Sequence, residues 1–183
     1  LHTVGFDEPF AAGAGRVQLL PAGHILGAGV AVLESNGRQV MVSGDLSIAD
    51  QLTVAGMPVP RERPDALVLE STYGDRDHRD RSATVAELGE IIDRADRDRG
   101  NIVIPAFAVG RSQELLYLLG QHAEQWNLQR WQVYLDSPMA IKASEIYWRH
   151  PERYDEEAAR LRDSFGSMPN LPNLALTRTA DES

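Results

Sequence analysis

Residues 66–74 read Ala66-Leu67-Val68-Leu69-Glu70-Ser71-Thr72-Tyr73-Gly74, four apolar residues in a row that end on a carboxylate and a loop. A strand with one wet face alternates apolar and polar residues, so an unbroken run of this length predicts a strand covered on both faces. Working back toward the N-terminus, Arg16 to Leu20, Gly29 to Glu34 and Arg38 to Val42 are three more runs with strand character. Asn36-Gly37 between the last two predicts a tight hairpin, because a type I′ turn needs positive φ at both central residues. Working forward, the period changes at Ser82. Val85, Leu88, Ile91, Ile92 and Ala95 fall on one helical face, with Ser82 as the expected N-cap and Gly100 just past the end. Strand and helix then alternate: a short buried strand at Ile102-Val103-Ile104, a helix from Ser112 to Gln125, a strand from Trp131 to Leu135, and helices near Met139 to Arg149 and Pro151 to Leu161. Such alternation implies right-handed crossovers and a parallel sheet. The sequence therefore predicts an α/β protein with a meander-like half to about Gly74 and a β/α half from about Ser82, divided by the charged run Asp75 to Arg81.

Composition narrows the chemistry. The chain has 183 residues, 43% of them hydrophobic and 25% charged, within the usual range for a globular domain with a buried core. It contains no apolar stretch near the roughly 18 residues of a membrane helix and no basic-then-apolar secretion signal, so a cytoplasmic protein with no membrane partner is expected. With no cysteine, disulfides and thiolate metal sites are excluded, and any metal must be held by carboxylates and the five histidines. A formal net charge of -9 argues against wholesale coating of nucleic acid but leaves room for a local contact. The chain opens on Leu1 rather than Met and closes on Thr179-Ala180-Asp181-Glu182-Ser183, from which a segment of something longer is expected.

Three acidic or histidine positions sit at the ends of predicted strands. They are His24 in Pro21-Ala22-Gly23-His24-Ile25-Leu26-Gly27-Ala28-Gly29, Asp45 in Ser43-Gly44-Asp45-Leu46-Ser47, and Glu70 at the end of the apolar run. Layered α/β folds gather catalytic side chains at strand ends. Histidine with carboxylate is also the ligand set expected of zinc when cysteine is absent. Each residue alone has a plainer reading: His24 as a hydrogen-bonded loop residue, Asp45 as a turn residue, and Glu70 as a solvated strand end. Pro105-Ala106-Phe107-Ala108-Val109-Gly110-Arg111 leads a strand into a helix start, which suits a phosphate or is simply a βα turn. Ser137-Pro138 suits an N-cap followed by proline at N1. His2, His122 and His150 read as structural or surface residues, and the Arg/Asp runs as solvated surface.

Taken in order, Ala22-Gly23-His24-Ile25-Leu26-Gly27-Ala28, Ser43-Gly44-Asp45, Glu70-Ser71-Thr72-Tyr73-Gly74, Pro105-Ala106-Phe107-Ala108-Val109-Gly110-Arg111 and Asp136-Ser137-Pro138-Met139-Ala140 resemble the β-CASP branch of the metallo-β-lactamase superfamily, which includes RNA-processing nucleases. The resemblance implies part of a metallo-β-lactamase αββα sandwich, residues 1–80, followed by part of a parallel-sheet α/β β-CASP domain, residues 81–183. It implies that His24 completes the ligand set of one zinc, that Asp45 bridges two zinc ions, and that Glu70 is the acidic residue orienting a catalytic histidine. Ser71, Arg111 and Ser137 become the expected nucleic-acid contacts. The implied activity is zinc-dependent hydrolysis of RNA phosphodiesters. Its alternatives are a DNA- or small-ester-directed hydrolase on the same fold, or a non-catalytic scaffold. The family's His-x-His-x-Asp-His signature and its two later histidines do not occur in this chain, so the site is expected to be incomplete here and the chain alone inactive.

Overall fold

The computed structural model describes residues 2–60, 63–154, 156, 158–160, 169, 171 and 173–179. These form two compact units, one from the described residues of 1–71 and 150–160, the other from those of 72–149 and 161–183.

The first unit is built on a five-stranded sheet in the order β1-β2-β3-β4-β5. Its strands are β1 (Phe10–Ala12), β2 (Gly15–Pro21), β3 (Gly29–Ser35), β4 (Arg38–Val42) and β5 (Ala66–Val68). The first four run antiparallel to their neighbours, and β5 joins parallel to β4, with Val40 opposite Ala66 and Val42 opposite Val68. Asn36 and Gly37 have φ of 52° and 71° and connect Ser35 to its partner Arg38, which is the hairpin that their residue types predict. Ala22, Val30, Val32 and Met41 are buried together, with Leu20, Ala28, Leu46 and Met57 packed around them. One expectation is corrected. Ala66 to Val68 does form a strand, but its side chains are exposed, Leu67 by 54%, because among the described elements β4 beside it is the one packed closely against β5, and the faces that its side chains project from stay uncovered.

The second unit holds α1 (Arg81–Asp98), α2 (Arg111–Gln121), β6 (Val133–Leu135), α3 (Pro138–Tyr147) and β7 (Leu174–Leu176). β6 and β7 pair in parallel, Tyr134 opposite Ala175. Ile92 of α1, Leu116 and Leu119 of α2, Leu128 and Leu171 form the buried core, flanked by Trp126, Trp131, Val133 and Leu135. The helical face read from the sequence is the inward one, although on α1 Ile92 is the one residue that is fully buried. The N-cap of α1 is Asp80 rather than Ser82: its carboxylate accepts from Ala83 N at 2.8 Å and from the Ser82 hydroxyl. A charged acceptor completes the cap more strongly than the hydroxyl two residues later. The strand expected at Ile102-Val103-Ile104 is likewise corrected. The segment joins no sheet among the described residues, although β6 pairs with β7 on one edge only, and Val103 is 88% exposed: three apolar residues in a row do not by themselves recruit a ladder partner. The helix expected over Pro151 to Leu161 begins as a 3-10 turn, Pro151–Arg153, and Leu161 lies outside the described residues. None of the described helices is long and apolar enough to cross a membrane.

Candidate metal and RNA site

β2 ends at Pro21 and β3 begins at Gly29, so the loop carrying His24 closes the hairpin between two paired strands. Ala22 N donates to Ala28 O at 2.9 Å and Ala28 N to Ile25 O at 3.0 Å, which pins the loop at its base. β4 ends at Val42, and the chain turns through Gly44, φ 56°, into Asp45. Ser47 N then donates to Ala22 O at 2.9 Å, tying the Asp45 loop to the His24 loop. The result brings His24 Nε2 to 4.0 Å from Asp45 Oδ2. That distance is too long for a hydrogen bond, and the two side chains stay 46% and 74% exposed, so neither seals off the other's donor atom.

Glu70 follows β5 and reaches the same loop. Its carboxylate accepts from Leu46 N at 2.6 Å, and its own N–H donates to Ser43 Oγ at 3.0 Å. Ser43 is buried and its hydroxyl donates in turn to Gly44 O at 2.6 Å. Two bonds therefore clamp Glu70 across residues 43–46, one on either side of Asp45. Glu70 is half-buried, neither the solvated strand end of its plainer reading nor sealed from water. Ser43 is the residue that reasoning on the sequence misses. Its signal is weak, a serine preceding Gly-Asp at a strand end, and only the fold reveals its partner 27 positions away.

The donor chemistry, an imidazole nitrogen beside a carboxylate oxygen, is the set zinc accepts in a protein without thiolates. His24 and Asp45 fit as two of the donors. Among the described residues there is no group of three or more His, Asp or Glu side chains able to hold a metal ion.

In the second unit, Arg111 opens α2 and Gly110, φ 85°, precedes it as N-cap. The Arg111 guanidinium pairs with Glu114 Oε2 at 2.6 Å; Arg111 is exposed and Glu114 is almost wholly buried. Gln113, fully buried, accepts from Gly110 N at 2.7 Å and donates to Ala108 O, Ala140 O and Ser144 Oγ, locking the turn before α2 to α3. The sequence carries only half of a capping box here, the glutamine three residues after the N-cap, since Gly110 has no side chain to return the bond. Ser137 caps α3, its hydroxyl oxygen accepting from Ala140 N at 3.2 Å with Pro138 at the helix start. Ser71 is exposed at the end of the first unit. His122 is stacked on Trp126, with centroids 4.4 Å apart, and His150 pairs with Glu152, while His2 is exposed, so all three are structural or surface residues.

Residues 112–183 match the Beta-Casp domain family. Over 157 residues the chain is 36% identical to Ribonuclease TTHA0252 of Thermus thermophilus, covering 86% of this chain and 36% of that protein. It is 37% identical over 130 residues to Endoribonuclease ysh1 of Schizosaccharomyces pombe, covering 69% of this chain and 17% of that protein. It is 30% identical over 148 residues to Cleavage and polyadenylation specificity factor 73 of Drosophila melanogaster, covering 80% and 22%. The chain thus spans about a third or less of the length of these curated relatives.

Proposed function

Since the chain belongs to the β-CASP family of the metallo-β-lactamase superfamily, we propose that it forms part of a zinc-dependent nuclease that hydrolyses phosphodiester bonds in RNA. The supporting observation is the convergence of three strand-end loops on one point: His24 and Asp45 within 4.0 Å, and Glu70 clamped to Leu46 beside Asp45. His24 and Asp45 would hold zinc through Nε2 and the carboxylate. The chemistry that bound zinc supplies is neutralisation of charge on the phosphate and acidification of a water molecule. Glu70 serves as a positioning residue, holding the loop that aims Asp45. Arg111, Ser71 and Ser137 would contact the RNA. In this reading residues 1–80 derive from the metallo-β-lactamase-like αββα part and residues 81–183 from the β-CASP-like part, and the protein works in the cytoplasm.

A zinc site needs three or four protein ligands, and this chain brings His24 and Asp45, so the 183 residues by themselves are inactive on RNA. The test uses the longer protein containing this segment, with zinc content measured beside single-turnover RNA cleavage. Two zinc ions per chain and a large fall in turnover for Asp45→Asn, which removes the charge from the centre of the site, are expected. Cleavage at the parent rate by Asp45→Asn overturns the assignment, and absence of zinc together with absence of cleavage favours a non-catalytic scaffold.

A further inference from the structure

Between residues 72 and 81 the chain is exposed throughout, and its charges nearly cancel: Asp75, Asp77 and Asp80 against Arg76, Arg79 and Arg81. Two of these are occupied elsewhere, Arg79 with Glu87 and Asp80 as the cap of α1. Inside this loop three side chains with flat π surfaces meet. The Tyr73 and His78 rings lie 4.0 Å apart between centroids, tilted by 43°. The Arg76 guanidinium carbon sits 5.4 Å from the centre of the Tyr73 ring, and Asp75 lies 3.7 Å from Arg76 Nε, steering the guanidinium. Tyr73 nevertheless remains 53% exposed.

An exposed tyrosine alone carries no message, since folded proteins expose many apolar atoms. Three stacking groups gathered within six residues, on a turn with little net charge, are a different matter. A surface that gripped phosphates would need free, clustered cations, which this loop lacks. A surface that grips bases needs exposed π groups, and Tyr73, Arg76 and His78 are all exposed; aromatic rings and guanidinium planes stack on unpaired nucleobases with little regard to sequence. A duplex would not serve, since its bases are already stacked on one another.

We propose that Tyr73, Arg76 and His78 form a platform on which an unpaired base of single-stranded RNA stacks, purines more tightly than pyrimidines for their larger face. The platform rests on the RNA reading above and adds to it a positioning site made of residues outside the metal-proximal set. In chain order it begins three residues after Glu70.

The test measures binding of fluorescent single-stranded oligoadenylate and oligouridylate to the longer protein containing this segment, kept in a metal chelator to prevent cleavage, across a salt series, with a duplex as control and 2-aminopurine as a stacking reporter. Tyr73→Leu, which keeps bulk but removes the ring, should weaken oligoadenylate binding about five- to hundredfold and abolish part of the 2-aminopurine quenching. Tyr73→Phe, which keeps the ring, should bind as the parent does. The slope of log affinity against log salt should stay the same in Tyr73→Leu, whereas loss of one phosphate contact would reduce it by about one unit. Binding by the parent that Tyr73→Leu leaves untouched overturns the platform and leaves the RNA reading standing. No binding of single-stranded RNA by the parent even at low salt overturns both.

Discussion

Replacing Gly23 by alanine tests how the loop that presents His24 is held. Gly23 has φ of 70°, and a β-carbon built on it would lie 2.3 Å from Met57 N, 2.5 Å from Ser47 O and 2.7 Å from Gly56 C. Met57 N and Ser47 O are themselves hydrogen-bonded to each other at 2.7 Å, so the added carbon would land on that bond. All three obstacles are backbone, which cannot swing aside as a side chain can. Gly27, in the same loop with φ of 85°, has nothing within 4 Å of its virtual β-carbon. The pair therefore separates two costs. Left-handed backbone costs alanine about 1–2 kcal/mol at either site, and the stiffer unfolded chain offsets about 0.4–1 kcal/mol of it. Gly23→Ala adds overpacking of about 1–3 kcal/mol and a lost hydrogen bond of about 1 kcal/mol. The expected loss is about 3–5 kcal/mol for Gly23→Ala against about 1 kcal/mol for Gly27→Ala. Trp126, Trp131 and Trp148 all belong to the second unit, so fluorescence is the wrong probe. Native-state hydrogen exchange of the β2 and β3 amides reads the first unit directly. If the two variants lose protection equally, to within about 0.5 kcal/mol, the close approach of the Gly23 loop to residues 47–57 does not hold the site together.

Two further outcomes follow from the second unit. Arg111→Ala leaves the nearly buried Glu114 carboxylate without its guanidinium, so urea unfolding followed by tryptophan fluorescence should show a loss toward the lower end of about 1–3 kcal/mol, given how exposed Arg111 is. A double-mutant cycle with Glu114→Gln should recover part of that loss, and an Arg111→Ala change that alters only the salt slope of RNA binding would refute the pairing role. Asp80 is held below the usual carboxylate range, first by the Ser82 hydroxyl and then by Ala83 N, so its cap contributes stability above the ordinary aspartate pKa and loses it as pH falls through the lowered one. Asp80→Ala should therefore unfold more readily than the parent at neutral pH, the gap closing as the pH is taken down through and below the ordinary aspartate range; a gap independent of pH would show that the cap is not ionic.

What was legible in the sequence divides along a physical line. Signals carried by neighbours in the chain held: Asn36-Gly37 dictated its own turn, the period of α1 picked out Ile92, and Ser137-Pro138 started α3. Signals that depend on distant partners did not. The apolar character of Leu67 correctly indicates a strand and that of Val103 does not, because whether a short apolar run is covered or even paired is decided by what lies beside it: β5 pairs with β4 alone, and residues 102–104 join no ladder. The site shows the same division. His24 and Asp45 stand out as residue types beside glycines, yet what aligns them is invisible locally: Ser47 N on Ala22 O, Glu70 on Leu46 N, and Ser43 beneath both. Each of these is a backbone group paired across 24 or more positions, and a backbone donor has no residue type to read. Alanine at Gly23 strikes at that unread layer, because it changes neither His24 nor Asp45 and yet should unseat both.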